Sequence, residues 1–172
     1  MEIDPENLLN FRLWRIVSMS GAPVTRLCEG RYGITRREWH LLILLFRDGQ
    51  VSPSELAERA TLDRARVSKA VAGLIEKSLV QKTAGRDDRC RVILALTDKG
   101  VRLVKELFPQ VEAINARVLS AVPLADQDAL FTALDAMTRK ANEIAREIGT
   151  DIRADRCRGG RKRPWEGNEF SD

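Results

Sequence analysis

Residues 51–100 hold the feature that most narrows what this chain can become. Two short helical patterns meet there across a tight turn, and two short strand patterns follow at once. The first helix opens Ser52-Pro53-Ser54-Glu55. Ser52 is a capping side chain, Pro53 suits a first helical position that needs no amide, and Glu55 stands where a carboxylate reaches back to the cap. Leu56, Ala57 and Ala60 give this helix a short apolar face. The second pattern starts near Asp63 and runs to about Lys77. Val67, Ala70, Val71, Leu74 and Ile75 fall on one side of it, and Arg64, Arg66, Ser68 and Lys69 on the other. An α-helix fits the major groove of duplex DNA, and its first turns bring side chains to base edges and phosphates. A basic, hydroxyl-bearing front end therefore reads as the second helix of a helix-turn-helix. Taken alone, the same pattern also describes a helical hairpin with a solvated charged face.

The next residues separate the two readings. Leu79–Thr83 and Arg91–Leu96 are strand patterns, and Gly85-Arg86-Asp87-Asp88-Arg89 between them is a polar turn. A hairpin with arginines at its tip, directly after a helix-turn-helix, is a wing whose tip can follow the DNA backbone or enter the minor groove. Val51 is placed to add a short third strand.

Ser54-Glu55-Leu56-Ala57, Val67-Ser68-Lys69, Asp88-Arg89 and the closing Leu96-Thr97-Asp98-Lys99-Gly100, in this order and spacing, resemble the MarR family of bacterial transcription regulators. The resemblance runs from about residue 8 to residue 148. It implies a mainly α chain with a small β-hairpin wing, that is, a winged helix-turn-helix plus a helical dimerisation domain. The implied function is a repressor that holds a pseudo-palindromic double-stranded DNA operator as a homodimer and is released by a small aromatic carboxylate or phenol. The DNA-facing residues are then Ser52, Ser54, Arg64, Arg66, Ser68 and Lys69 from the two helices, and Arg86, Arg89 and Arg91 from the wing. One position departs from the pattern: where the family often carries a second wing arginine, this chain has Cys90, with Arg91 next.

The flanks supply apolar seams. A first helix is expected from Pro5 to Cys28, with a kink or break at Gly21 and Pro23. Its Leu8, Leu9 and Phe11 are not needed by the wing and are assigned to a subunit interface. A second helix opens at Thr35 with Glu38 as its capping-box partner, carries Trp39, Leu42, Ile43 and Phe46, and ends at Asp48-Gly49. After Thr97, Val104, Leu107, Val111, Ile114 and Val118 step at heptad spacing, with a bend expected near Pro109. Past Pro123, Leu130, Leu134, Met137, Ala141, Ile144 and Ile148 form another seam. Two such seams exceed what one copy of a small winged helix can cover, and a two-fold dimer is the economical solution. The expected organisation is therefore 1–34 as an N-terminal dimerisation helix, 35–100 as the DNA-binding lobe, 101–149 as C-terminal dimerisation helices and 150–172 as a disordered basic tail.

Composition sets the outer bounds. At 172 residues, 44% of them hydrophobic, the chain fits one domain with a tail. Its net charge of +4 is too mild to indicate nucleic acid without the clustering described above. No apolar run reaches the roughly 18–20 residues that span a bilayer, and the acidic start Met1–Glu6 lacks a signal-peptide pattern, so no membrane association and a cytoplasmic location are expected. Cys28, Cys90 and Cys157 have no metal-ligand spacing, and one histidine cannot complete a site. No cofactor, no metal and no enzymatic activity are expected. Because some relatives of the resembled family sense oxidants through a thiol, Cys28 and Cys90 stand as an alternative signal. A winged helix serving only as a protein-interaction module is a further alternative.

An aromatic acid needs a cation for its carboxylate and apolar walls for its ring. Arg12 and Arg15, three apart on one face of the first helix, with Trp14 and Met19 nearby, are the expected cations and walls. Trp39, His40 and Ile43 of the second helix complete the expected pocket. The alternatives are intersubunit salt bridging for the arginines and a plain surface role for His40.

Overall fold

The computed structural model describes residues 4–84 and 92–151. A short 3-10 turn, Pro5–Asn7, precedes α1 (Leu9–Tyr32), α2 (Arg36–Asp48), α3 (Pro53–Arg59), α4 (Arg64–Glu76), β1 (Val80–Ala84), β2 (Val92–Leu96), α5 (Asp98–Leu119) and α6 (Leu124–Asp151). The strands pair antiparallel from Val80 opposite Leu96 to Ala84 opposite Val92. Val51 adds one isolated bridge to Leu94. The expected third strand shrinks to that bridge because Ser52 and Pro53 already commit the chain to α3. The architecture is a mainly helical winged helix-turn-helix with a two-stranded hairpin. The wing tip and the basic tail lie outside the described residues.

Helix starts follow the cap chemistry. Thr35 and Ser52 each close a capping box, with Glu38 and Glu55 returning to the cap amides. Asp63 accepts from the Arg66 amide at 2.8 Å, and Thr97 from the Gly100 amide at 3.0 Å. The end of α2 is tied to α3 through Asp48, which pairs with Arg47 and Arg59, each at 2.7 Å. These two guanidiniums hold the Asp48 carboxyl well below the usual carboxylate range.

The core gathers Leu41, Leu42 and Leu45 of α2, Leu56 of α3, Val67, Val71 and Leu74 of α4, Leu94 of β2, and Val104 and Leu107 of α5. The heptad seam of α5 divides. Val104, Leu107 and Val111 are buried, Ile114 is half-buried and Val118 is exposed. The helix itself continues through Pro109.

Helix α1 corrects the expected break. Residues 5–8 form a separate turn, and α1 then continues through Gly21 and Pro23 to Tyr32. Proline removes one backbone bond, but Val24 and Cys28 are buried just beyond it, and such packing outweighs a local defect. Gly21 is a contact point: a Cβ there would collide with the guanidinium of Arg36, which reaches across from α2 toward the Val17 carbonyl.

The chain divides into two compact units, one ending at Ala121 and one starting at Val122. The second unit contains α6, where none of the residues whose burial is described is buried and where Leu124, Phe131, Ile144 and Ile148 are exposed. No described helix is long and apolar enough to cross a membrane.

Both helices of the helix-turn-helix end in the same motif. After α3, the Thr61 amide donates to Glu58 and that of Leu62 to Ala57; after α4, Ser78 donates to Ile75 and Leu79 to Leu74. This is the Schellman pattern, which needs a left-handed residue and usually employs glycine. Here Thr61 (φ 53°) and Ser78 (φ 57°) occupy those places. Ser78→Gly should relieve the strain and raise stability by about 0.5–1 kcal/mol, read as a higher urea midpoint at unchanged m-value.

Candidate nucleic-acid interface

Burial of Val67, Ala70, Val71 and Leu74 leaves Arg64, Arg66, Ser68 and Lys69 exposed on the outer face of α4. Ser54, in the first turn of α3, meets this face. It lines a small depression of about 180 Å³ with Arg64, Val67, Ser68 and Lys82. The expected residues Ser54, Arg64 and Ser68 therefore converge, and the structure adds Lys82 from β1. Alternation along the strand places Lys82 on the same side as the buried Val80, so its position was open to inference from the pattern.

Lys69 faces a separate groove, which it lines with Thr35, Arg37, Glu76 and Gly73. Arg66 is pre-oriented by Asp63, with Nε 3.0 Å from the carboxylate. Ser52 has its hydroxyl engaged by the Glu55 amide at 3.3 Å, so its side chain serves the cap. Arg86, Arg89, Arg91 and Cys90 lie outside the described residues.

The expected effector residues do not converge in this chain. Arg15 is paired with the Glu6 carboxylate, and Arg12 donates to the Glu6 carbonyl, because the turn Pro5–Asn7 folds back against α1. Trp39 is buried in the core, Ile43 is half-buried, and Trp14 is exposed and in contact with Phe11. His40 stands on the surface of α2. Partial loss of hydration, and then the positive charge of Arg36, push its imidazole below the usual value and favour the neutral ring.

Of these residues, only Met19 lines the groove between α1 and α5. That groove measures about 530 Å³, with Ile16, Pro23, Ile114 and Arg117 among its walls. An adjoining recess of about 660 Å³ shares Met19, Pro23 and Ile114 and adds Arg26 and Arg31. The cations here are thus Arg117 at the groove and Arg26 and Arg31 at the adjoining recess, which helical spacing on α1 alone does not single out.

Residues 32–89 match the model of the MarR family. Over those residues the chain is similar to the MarR family. Among curated relatives, the transcriptional repressor MdtR of Bacillus subtilis is 32% identical over 90 residues, which cover 52% of this chain and 58% of MdtR. The regulator YdgJ of the same organism is 25% identical over 116 residues, 67% of this chain and 71% of YdgJ. Among solved structures, a MarR/EmrR family regulator from Acinetobacter sp. ADP1 superposes with a TM-score of 0.75 at 20% identity, over 82% of this chain and 99% of that one. BpsR of Bordetella bronchiseptica, whose DNA binding is regulated by 6-hydroxynicotinic acid, superposes at 0.71 and 21% identity, over 80% and 98%.

Cys28 bears on the redox alternative. Its side chain is fully buried, and burial followed by the Glu29 carboxylate pushes the thiol above its usual value. A buried thiol of this kind is a poor nucleophile. Iodoacetamide treatment of the native protein followed by peptide mass spectrometry should leave Cys28 unmodified, with labelling appearing only after urea unfolding. Labelling of native Cys28 at the rate of a free thiol would refute this.

Proposed function

We propose that this chain is a MarR-family protein, a cytoplasmic, non-enzymatic DNA-binding transcriptional repressor that works as a homodimer and is released from a two-fold operator by a small aromatic acid. The observation that carries the DNA reading is the convergence of Ser54, Arg64, Ser68 and Lys82 on the outer face of a recognition helix whose other face is core. Phosphate contacts from these cations and from the wing arginines Arg86, Arg89 and Arg91 give affinity, and Arg64, Arg66, Ser68 and Lys69 read bases. The exposed apolar surface supports the dimer: Leu8 and Leu9 before and in α1, Val118 on α5, and Phe131, Ile144 and Ile148 on α6. In this division residues 1–34 and 101–149 join two copies, and 35–100 read DNA. The two recognition helices then sit about 34–36 Å apart, one helical turn of DNA.

A duplex selected by the protein from a randomised library provides the test. Affinity for it should fall steeply with salt, each phosphate contact contributing about −0.9 to the logarithmic slope. Lys82→Ala should weaken binding to all sequences and reduce the slope by about one. Arg66→Ala should instead relax preference at one base in each half-site, at a cost of about 1–3 kcal/mol. Failure to select any duplex would refute the DNA reading and favour the protein-interaction module.

For the effector we propose the groove between α1 and α5, with Met19 and Ile114 as walls and Arg117 as the cation. Arg12 and Arg15 already have Glu6 as partner, and Trp39 is closed inside the core. BpsR, which shares the fold, responds to an aromatic acid, which supports the ligand class. Benzoate or 6-hydroxynicotinate should raise the melting temperature and weaken binding to the selected duplex, and Arg117→Ala should remove both effects. If a panel of such acids moves neither measurement, the groove is not the effector site.

A further inference from the structure

Glu38 is the one charged or polar residue found buried among the described residues, at 5% exposure. Its carboxylate serves two elements. One oxygen accepts from the Thr35 amide at 2.7 Å, closing the cap of α2. Both oxygens accept from Lys77 Nζ, at 2.8 and 2.7 Å. Lys77 is the C-terminal cap residue of α4, so the pair joins the start of α2 to the end of the recognition helix. Each charge also suits its helix end, negative at the N-terminus of α2 and positive at the C-terminus of α4. Gly73, one turn before Lys77, leaves the space for this approach: a Cβ there would lie 2.7 Å from Glu38 Oε1. The Lys77 carbonyl in turn accepts from Lys99 Nζ at 2.9 Å, which ties the same end of α4 to the start of α5.

We propose that the Glu38–Lys77 pair, seated against Gly73, is a positioning device that sets the orientation of the recognition helix on DNA. It rests on the DNA-binding reading above. The apolar face of α4 is held by a force without direction, which tolerates small slides and rotations. The ion pair adds little net stability because the buried carboxylate loses its hydration while the Lys77 side chain stays partly exposed, yet its hydrogen bonds are directional and admit one register. The pin lies at the end of α4 away from Arg64, so a small slip there is carried along the helix, about 20 Å for 13 residues, to the base-reading turns.

Two variants separate this role from general stability and from charge. Glu38→Gln keeps a capping side chain, loses the ion pair and makes the chain more basic, so phosphate attraction alone predicts tighter DNA binding. Gly73→Ala changes no charge and raises helix propensity, but pushes the carboxylate off its seat. Both should bind the selected duplex about tenfold more weakly, the scale of one misaligned base contact, while binding an unselected duplex no more weakly than the parent does. Equal weakening on both duplexes, or loss of the far-UV helical signal in both variants, would overturn the proposal in favour of a purely structural pair. A parent that selects a duplex and variants that match it would overturn the proposal alone. A parent that selects none removes the DNA reading, and this proposal with it.

Discussion

Burial of one face of α4 is the constraint on which the rest of the structure depends. A helix of 13 residues is marginal in water by itself, and α3, with seven, would not form alone. Val67, Val71 and Leu74 each contribute about 1.5–3 kcal/mol when taken out of water, and they are nearly or fully inaccessible here. Ala70 and Gly73 complete that face with little bulk, which lets α2 and its Glu38 come close. The same burial decides what remains outside. Once those positions turn inward, Arg64, Arg66, Ser68 and Lys69 have nowhere to go but the solvent face. The stabilising and the candidate reading surfaces are therefore two consequences of one helical repeat.

Elements whose ends carry side-chain chemistry were legible in the sequence almost to the residue. Thr35, Ser52, Asp63 and Thr97 all cap as their types and spacing suggest, because an N-terminal cap is a local bargain between a hydroxyl or carboxylate and an amide three residues on. C-terminal ends gave less away. Thr61 and Ser78 hold left-handed positions without being glycine, so no residue type marked them. Helix α1 runs past its expected break for the opposite reason. Gly21 and Pro23 are breakers by local rule, but the glycine admits Arg36, and the residues after the proline are packed into the core. Tertiary context overrode a correct local preference.

The two candidate sites differ in legibility for a related reason. The outer face of α4 comes from one helix, so spacing names its members, and the neighbouring α3 and β1 add Ser54 and Lys82. Helical spacing on α1 puts Arg12 and Arg15 on one face, but it says nothing of what else arrives there. Glu6, brought back by the turn at Pro5–Asn7, occupies both Arg12 and Arg15. A cation whose donors already have a partner, the carboxylate for Arg15 and the backbone carbonyl for Arg12, must give it up before it can hold a ligand's carboxylate, so its value for recognition falls. Groove cations on α1 and α5, which no single-helix pattern brings together, then become the better candidates.

The heptad seams carry the same lesson to the proposed dimer. On α5 and α6 the apolar steps are alike, yet the pattern cannot say whether its partner belongs to the same chain. Val104, Leu107 and Val111 go to the core of the first unit, and a side chain already in a core cannot also serve an interface. Past Ile114 the α5 seam opens, with Val118 exposed. On α6 no residue of the seam is fully withdrawn from solvent, and Ile144 and Ile148 stand open. A helix of 28 residues whose apolar stripe stays this wet has lost the usual source of helical stability in proteins, the packing of one face. A second copy would restore that packing. The economy that made a two-fold assembly attractive in the sequence thus applies with most force to α6 and the last turns of α5, and least to the first half of α5, whose surface the chain already uses for itself.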